Sequence, residues 1–488
     1  MYIDVSLPAG IYANGTDWQA SGRWTDGNYI RFYERQVKPI GGWRQLTETP
    51  VTGKAREIIT WRDNDAVLRA AIGTESHLYA MTQSGVLTDI TPASLVAGRS
   101  DAENGAGYGA GTYGTGVYGQ PRTVANALLD TSVWSLDLYG ENLIGVIAED
   151  GNIYQWAPDT PEALEVANSP NAKAIVVTAQ RILIALGADD NPRLMKWADR
   201  DDITDWTPSA TNDAGDLEIP TSGKIQAGVK IEEGALIFTD TDLWRMTFIG
   251  GEFIFELDIV SDVSGSVSQN AAVQTDGRVF WMGPQGFWMH NGYAQELQCD
   301  VADKVFTEIN RSQISKVSSF HNSDYGEVWW LYPDQSGTEN NRYVAYSYRE
   351  NHWSTGTIER LAAADKSPFR FPLMTGADGH VYEHEVGVNH GGGAPFLKGG
   401  PLQMGTGDNV TYLHEWLPDM NTLGDMTLTI CSRFYPMAEE TITGPITAAV
   451  KTDLRIAGRQ HSIQFDMAPN TDWRIGVPRI RIKSGGRR

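Results

Sequence analysis

Short apolar runs alternate with polar turns along most of the chain, and this pattern repeats. In each unit an apolar run is followed by a turn, often containing Gly or Asp, and then by a run that carries aromatic residues. Two such runs around a turn are typical of a β-hairpin. The seven units span residues 70–81, 143–156, 182–197, 235–246, 278–292, 327–348 and 371–384.

Most of these units follow one another at about 40 to 50 residues, which is the period of a four-stranded propeller blade. One blade cannot cover both of its own faces, whereas a ring of blades can. A sandwich of two sheets is the alternative, but it does not predict similar hairpins at this period. We therefore predict an all-β fold, a β-propeller of about six to eight blades.

Both ends of the chain fall outside the repeat. The region after Gly399 has longer strand patterns, such as 426–435 and 461–467, without blade hairpins. The glycine-rich segment 391–401 marks the boundary. We predict that residues 1–50 are a strand segment packing with a platform, that 51–398 are the propeller, and that 399–488 form the C-terminal β platform.

An insertion at 104–120 reads NGAGYGAGTYGTGVYGQ and carries Tyr108, Tyr113 and Tyr118. Glycine at this density costs too much backbone entropy for packed core, so we expect an exposed loop. It is either an unselected surface extension or a channel gate or docking loop whose tyrosines stack on a partner. The GxGxxG spacing within it lacks the strand and helix of a dinucleotide site, so no cofactor is expected.

One segment departs from the strand pattern. Val301, Val305 and Ile309 lie at four-residue spacing, which predicts a short helix over 300–310 with Asp300 as its N-cap.

Composition supports the strands and limits the function. The 488 residues include 51 Gly, 16 Trp and 19 Tyr, and the net charge is −22. So acidic a chain is a poor binder of a phosphate backbone, although it can surround DNA without gripping it. Cys299 and Cys431 give no disulfide framework, and no signal peptide or membrane span is present, which indicates a soluble protein made in a reducing cytoplasm.

Candidate chemistry is sparse. On a strand, His380 and His384 would share a face and, with His390, could approach a metal; the alternative is a polar strand edge beside a turn. The acidic groups at 199–202 and 240–242 lack the EF-hand pattern and fit tight turns. No nucleophile elbow is found, so we predict no catalytic residues, no metal and no cofactor.

The C-terminus is the one basic patch. We predict that it is a basic tail, either solvated or docked on an acidic partner. Its residues are Arg474, Arg479, Arg481, Lys483, Arg487 and Arg488.

The chain resembles the tail hub or nozzle proteins of short-tailed bacteriophages, a family that includes packaged-DNA stabilisation proteins. The resemblance is carried by GRWTDGNYIRFYERQVKPIGGWRQL at 22–46, by VSGSVSQNAAVQTDGRVFWMGPQGFWMHNG at 263–292, and by the helix and EVWWLYP that follow. It implies a homo-hexameric ring in the virion tail, below the portal and the head-to-tail adaptor protein. That ring would enclose double-stranded DNA without sequence-specific binding and would anchor a tail spike or fibre.

The alternative function is a carbohydrate-active or glycan-binding propeller that uses its Trp and Tyr as sugar platforms. Aromatic residues spread through every repeat favour packing between blades over a single sugar site.

Overall fold

The computed structural model describes residues 1–104, 128–251, 253–402, 404, 409–421 and 425–486. The chain begins with five short strands, only the last of which belongs to the propeller. They are β1 (Tyr2–Asp4), β2 (Trp24–Asn28), β3 (Ile30–Tyr33), β4 (Gln36–Pro39) and β5 (Trp43–Gln45).

The described part of the chain then forms seven four-stranded antiparallel sheets, the blades of a β-propeller. Blade one comprises β6 (Ala55–Arg62), β7 (Leu68–Thr74), β8 (Leu78–Thr82) and β9 (Leu87–Asp89). A short pair follows, β10 (Glu103–Asn104) with β11 (Leu128–Leu129). Blade two comprises β12 (Trp134–Tyr139), β13 (Asn142–Ile147), β14 (Ile153–Trp156) and β15 (Leu164–Glu165). Blade three comprises β16 (Ala174–Val177), β17 (Leu183–Leu186), β18 (Leu194–Trp197) and β19 (Gly215–Glu218).

The remaining blades continue in chain order. Blade four comprises β20 (Ile225–Ile231), β21 (Gly234–Thr239), β22 (Leu243–Phe248) and β23 (Phe255–Ser261). Blade five comprises β24 (Ala272–Thr275), β25 (Arg278–Met282), β26 (Phe287–His290) and β27 (Ala294–Leu297), and helix α1 (Ala302–Glu308) follows it. Blade six comprises β28 (Ser318–Asn322), β29 (Glu327–Tyr332), β30 (Arg342–Ser347) and β31 (His352–Thr357). Blade seven begins with β32 (Arg360–Ala364), β33 (Leu373–Gly376) and β34 (Val381–His384).

The repeat found in the sequence is confirmed. Each of the seven repeated segments supplies the second and third strands of one blade. These strands lie inside the sheets, where both faces are covered, so their apolar and aromatic content is the strongest pattern in each blade.

The blades close into a ring through their first strands. The first strand of each blade contacts that of the next, and β32 of blade seven contacts β6 of blade one. Side chains join these inner strands: Glu57 accepts a hydrogen bond from the Leu136 amide at 2.9 Å, and Asp137 accepts one from the Val177 amide at 2.7 Å. Burial raises the pKa of both carboxyls.

The outer strand of blade seven comes from the other end of the chain. Strand β5 pairs antiparallel with β34, with Trp43 opposite His384, and their rings stack at 5.3 Å. Residues 1–50 were predicted to pack with the platform; this prediction is wrong for β5, which belongs to blade seven, whereas β1 and β2 lie in the platform sheets. The three-residue strand is too short to show a period of its own, so its pairing with β34 leaves no local signal.

The platform is built from two antiparallel sheets. Its strands are β35 (Phe396–Leu402), β36 (Thr411–Leu417), β37 (Met426–Arg433), β38 (Thr441–Thr447), β39 (Thr452–Gly458), β40 (Gln460–Met467) and β41 (Arg479–Ser484). One sheet has the order β1-β41-β36-β39 and the other β2-β35-β40-β37-β38. Trp416 of the first sheet contacts Phe465 of the second at 6.3 Å between ring centroids.

Platform and propeller share one hydrophobic core. It joins Trp24, Trp416 and Phe465 of the platform to Phe287 of blade five and Trp330 of blade six. Phe287 lies 4.8 Å from Trp330 between ring centroids. The platform is therefore packed firmly against blades five and six.

Helix α1 also enters this core, through the buried Val305. The predicted cap is wrong, because Val301 occupies the N-cap position and Asp300 forms an ion pair with Arg23 at 2.9 Å. Instead, Asn14 of the N-terminal segment accepts a hydrogen bond from the Asp303 amide at 3.0 Å. A segment distant in sequence thus satisfies a free amide at the helix start.

Candidate functional site

The two chain segments that flank the insertion are held at one end of the propeller. The Gln313 side chain, from the 3-10 helix Arg311–Lys316 before blade six, accepts a hydrogen bond from the Ala102 amide at 3.0 Å and donates one to the Ala102 carbonyl at 3.2 Å. On the other flank, the Thr131 amide donates to Ser315 Oγ at 3.3 Å. Both flanks belong to the connection between blades one and two. These bonds therefore join that connection to the segment just before blade six, with blade seven between blades six and one in the ring.

An ion network lies beneath these flanks, and we call it the mouth network: Arg56, Asp101, Lys316 and Glu339. Arg56 binds both carboxylate oxygens of Glu339, at 2.6 and 2.9 Å. Lys316, whose side chain is fully buried, binds Asp101 at 2.5 Å and Glu339 at 3.0 Å. The network therefore ties the first strand of blade one to the insertion flank and to blade six.

Electrostatics keep the mouth network charged. The hydrogen bond from Lys316 lowers the pKa of Asp101. Burial acts to raise the pKa of Glu339, but Arg56 and Lys316 outweigh it and lower that pKa. Asn270, just before blade five, adds a bond across this end of the ring by donating to the Arg56 carbonyl at 3.1 Å.

The predicted gate or docking residues lie outside the described residues. Tyr108, Tyr113 and Tyr118 belong to the segment 105–127, so their prediction stands as it was made.

The basic C-terminal residues are strand residues rather than a loose tail. Arg479, Arg481 and Lys483 alternate along β41 and are exposed on one face of the platform sheet. Arg481 pairs with Glu415 at 2.9 Å. Arg474, before β41, pairs with its neighbour Asp472, while 487 and 488, the positions of the two remaining basic residues, lie outside the described part.

Glu415 lies at the centre of this face. The Tyr2 hydroxyl, Lys451 and Arg481 all donate to it and lower its pKa to about 2. Part of the basic charge is thus neutralised within the sheet, and Arg479 and Lys483 are the positions left exposed without an ion pair among the described residues.

An exposed apolar surface on the platform was missed by the sequence analysis. We call it the platform edge, and it lies around β38, which has a single neighbour, β37, in its described sheet. Its residues and exposed fractions are Phe434 (44%), Tyr435 (61%), Met437 (97%), Ile442 (67%) and Val450 (77%). The alternation in TITGPIT predicts one buried face, but β38 is exposed at most positions on both faces.

The three histidines do not converge on a metal. His380 lies near Thr47 and Gln45, His384 accepts a hydrogen bond from Arg360, and His390 lies 3.0 Å from the Ile40 carbonyl. Among the described residues, no group of three or more His, Cys, Asp or Glu side chains is arranged to hold a metal ion.

The acidic groups are turn residues, as predicted. Asp202 makes the predicted local bond, accepting from the amide of Thr204 at 2.9 Å, whereas Asp240, in the turn between β21 and β22, accepts from the distant Lys224 amide at 2.9 Å. In the described part of the chain, no helix is long and apolar enough to cross a membrane.

Comparison with known proteins gives only distant structural likenesses. No protein-family model and no curated protein matches the chain. Among solved structures, it is similar to the β-propeller domain of Cps50 (Swd1) from Myceliophteria thermophila, at 9% identity and a TM-score of 0.39, over 71% of this chain and 99% of that one. Virginiamycin B lyase from Staphylococcus aureus gives 7% identity and a TM-score of 0.43, over 70% and 97%.

An exo-β-1,3-galactanase from Phanerochaete chrysosporium gives 10% identity and a TM-score of 0.31, over 91% of this chain and 100% of that one. Two of these three proteins are enzymes by name, and no argument about function is drawn from likenesses this distant. The closed ring of blades itself establishes the propeller.

Proposed function

We propose that the protein is a structural subunit of a bacteriophage tail, a hub or nozzle below the portal and the head-to-tail adaptor. In this proposal about six copies form a ring that retains packaged double-stranded DNA and anchors tail spikes or fibres. The single observation that supports it best is the platform edge, an exposed apolar surface around β38, which pairs on only one of its two edges in the described sheet.

Two physical arguments favour an interface there. Exposed large apolar side chains grouped around one strand mark a contact surface rather than a solvated one. A free strand edge presents unpaired backbone donors and acceptors, which a neighbouring copy satisfies by pairing. Because the platform shares its core with blades five and six, such a contact fixes the orientation of each propeller in the ring.

The charge of the chain fits a DNA passage. A net charge of −22 per copy gives the ring a negative potential, which lets DNA slide without adhering. We assign no enzymatic turnover to the protein. The exposed Arg479 and Lys483 are proposed to meet an acidic surface of the adaptor or spike, and the tyrosine loop to gate the channel or dock a partner.

The test combines imaging with variants of the platform edge. Electron microscopy of the assembled particle is expected to place this chain in a ring at the tail. In the purified protein, mass photometry over a concentration series is expected to show self-association that the double variant Ile442→Asp with Val450→Asp removes. Val86→Asp is the matched control, because Val86 is 60% exposed but lies on blade one.

Particles with no ring containing this chain would contradict the hub assignment. Self-association that survives in the double variant, or is lost equally in Val86→Asp, would contradict the role of the platform edge.

A further inference from the structure

A cavity of about 400 Å³ opens between blades six and seven and is independent of the surfaces assigned above. It is bounded by the connection from β31 to β32, by the loop that follows β29, and by the glycine segment at 391–393. Its aromatic side is formed by Tyr29, Trp43 and His390, and its charged side by Asp334, Arg342, Glu359 and Arg360.

Arg360 is the unusual member of this lining. It is only 7% exposed, yet it makes no ion pair with any carboxylate in the described part of the chain. Its Nε donates to His384 Nε2 at 2.9 Å, and its Nη1 donates to the Glu359 carbonyl at 2.9 Å. Its Nη2 is buried and has no hydrogen-bond partner among the described residues.

Burial lowers the pKa of Arg360, and the nearby carboxylates of Asp378 and Glu359, neither of which forms an ion pair with it, offset this only in part. Burial, with Arg360 itself adjacent, lowers the pKa of His384 well below its usual value, so that ring is neutral. The rings of Tyr382 and Trp43 lie 4.1 and 5.1 Å from the guanidinium carbon, which gives cation–π attraction but no counter-charge. The carboxylate of Asp378 makes no ion pair with the guanidinium and accepts a hydrogen bond from the Tyr382 hydroxyl at 2.5 Å.

An unpaired buried charge is expensive for a protein to keep. A guanidinium has five N–H donors, and two hydrogen bonds leave three of them uncommitted. Arg360 is a buried arginine that lines a cavity and has no carboxylate in ion-pair contact among the described residues, so an anion from outside the chain can supply that contact.

A second guanidinium lines the same cavity. Arg342 binds Asp334 at 3.0 Å through Nε, and its side chain is 29% exposed. Asp334 is already occupied, since it also accepts from Ser336 and Asn341. Among the described residues the terminal nitrogens of Arg342 make no hydrogen bond, which leaves them available to a ligand. Glu359 is the exposed carboxylate of the lining, and it disfavours an anion only weakly because solvent screens it.

We propose that this cavity binds a small ligand carrying a carboxylate or phosphate group, with the oxyanion drawn to Arg360 and Arg342. Guanidinium forks suit both groups, because each offers two oxygens in one plane. The cavity volume is that of a ligand site rather than of a single ion.

Thermal shift and isothermal titration at constant ionic strength test the proposal on the whole chain, with three probes: inorganic phosphate, glucuronate and glucose. Either anion is expected to bind and to raise the melting temperature, because a ligand that binds only the folded state stabilises it. Glucose is expected to do neither. Phosphate alone would identify a phosphate ligand, and glucuronate alone a carboxylate ligand.

Arg360→Gln and Arg342→Gln are the decisive variants. Arg360→Gln is expected to lower the affinity at least tenfold while keeping or raising the melting temperature, because it removes an unpaired buried charge. Arg342→Gln is expected to lower the affinity about threefold to tenfold, since solvent and salt screen the charge of this partly exposed side chain. The matched control is Arg349→Gln, on the same blade as Arg342, and it is expected to bind the anions as the wild type does. Binding of neither anion, or equal binding by all variants, would overturn the proposal.

Discussion

Arg31 and Glu327 form a two-pronged ion pair between the N-terminal hairpin and blade six, with Nε to Oε1 at 2.7 Å and Nη2 to Oε2 at 2.9 Å. Arg31 is 1% exposed, and it also binds both oxygens of Glu385, just after blade seven, at 2.6 and 3.0 Å. One arginine therefore holds strand β3 against two blades.

Replacing Arg31 by Met is expected to destabilise the protein by about 3–5 kcal/mol, because two buried carboxylates lose their counter-charge. Urea unfolding followed by tryptophan fluorescence measures this. The control is Arg44→Gln, which removes an ion pair whose arginine side chain is 62% exposed and is expected to cost about 1 kcal/mol or less. An equal loss in the free energy of unfolding for the two variants would show that the ion pairs of Arg31 contribute no more than an exposed ion pair does.

Blade seven is expected to depend on its borrowed strand. Arg44 lies opposite Glu383 in the β5–β34 ladder, and Arg44→Pro removes a backbone donor there at a cost of about 3 kcal/mol. Amide hydrogen exchange is expected to quicken in blades seven and one before it does in blade three. Arg44→Gln keeps the backbone donor and serves as the control, and uniform quickening around the ring would argue against local closure.

The platform is expected to lose stability in mild acid. His461 is fully buried, with its Nδ1 2.8 Å from Ser432 Oγ, and burial lowers its pKa to about 4. The pKa of a histidine in the unfolded chain is about 6.5. The stability that the neutral, buried His461 contributes is therefore present in full above that pH, and it is lost progressively as the pH falls from there to about 4. Between pH 7 and pH 5 the wild type is expected to lose about 2 kcal/mol more than His461→Gln.

The variant is expected to retain some of this slope, because the pKa values of His384 and His390 are also lowered by burial. Identical slopes for the two proteins would mean that the His461 ring is protonated as readily in the folded chain as in the unfolded one.

Deleting residues 107–119 is expected to leave the melting temperature within about one degree of the wild type. The flanking contacts of Ala102 and Thr131, and the Lys316–Asp101 pair, remain in that variant. Under the proposed function the variant particles nonetheless leak DNA or lose their spikes. Fully infectious, DNA-retaining particles would show that the tyrosine loop has no role in either.

The propeller was predictable because its signal is local and repeated. In blade four, for example, residues 235–246 carry the apolar and aromatic pattern of two adjacent, fully covered strands. The partner of β34 was not predictable, because Trp43 and His384 pair across most of the chain and a three-residue strand has no period. The Asp300 cap failed for the same kind of reason, since Arg23 and Asn14 arrive from a distant segment.

The functional surfaces were harder to predict. The platform edge could not be predicted without knowing which faces of β38 are covered. Alternation alone predicts that Ile442 is buried, whereas it is exposed. Arg360 is conspicuous only once the structure shows that it is buried without an ion-pair partner among the described residues, and a sequence cannot show that an ion pair fails to form. The basic residues of β41 were found by composition, but their partial neutralisation by Glu415 depends on strand register.

The pairing of early strands with late ones sets the order in which this molecule can be completed. During synthesis β1 and β5 leave the ribosome first, yet their partners β41 and β34 are made long afterwards. Contacts between such distant segments form slowly, because a long loop must close before they contribute. A chain interrupted anywhere before β41 therefore has a strand missing from the platform, and we expect such fragments to be degraded rather than to accumulate as partial subunits.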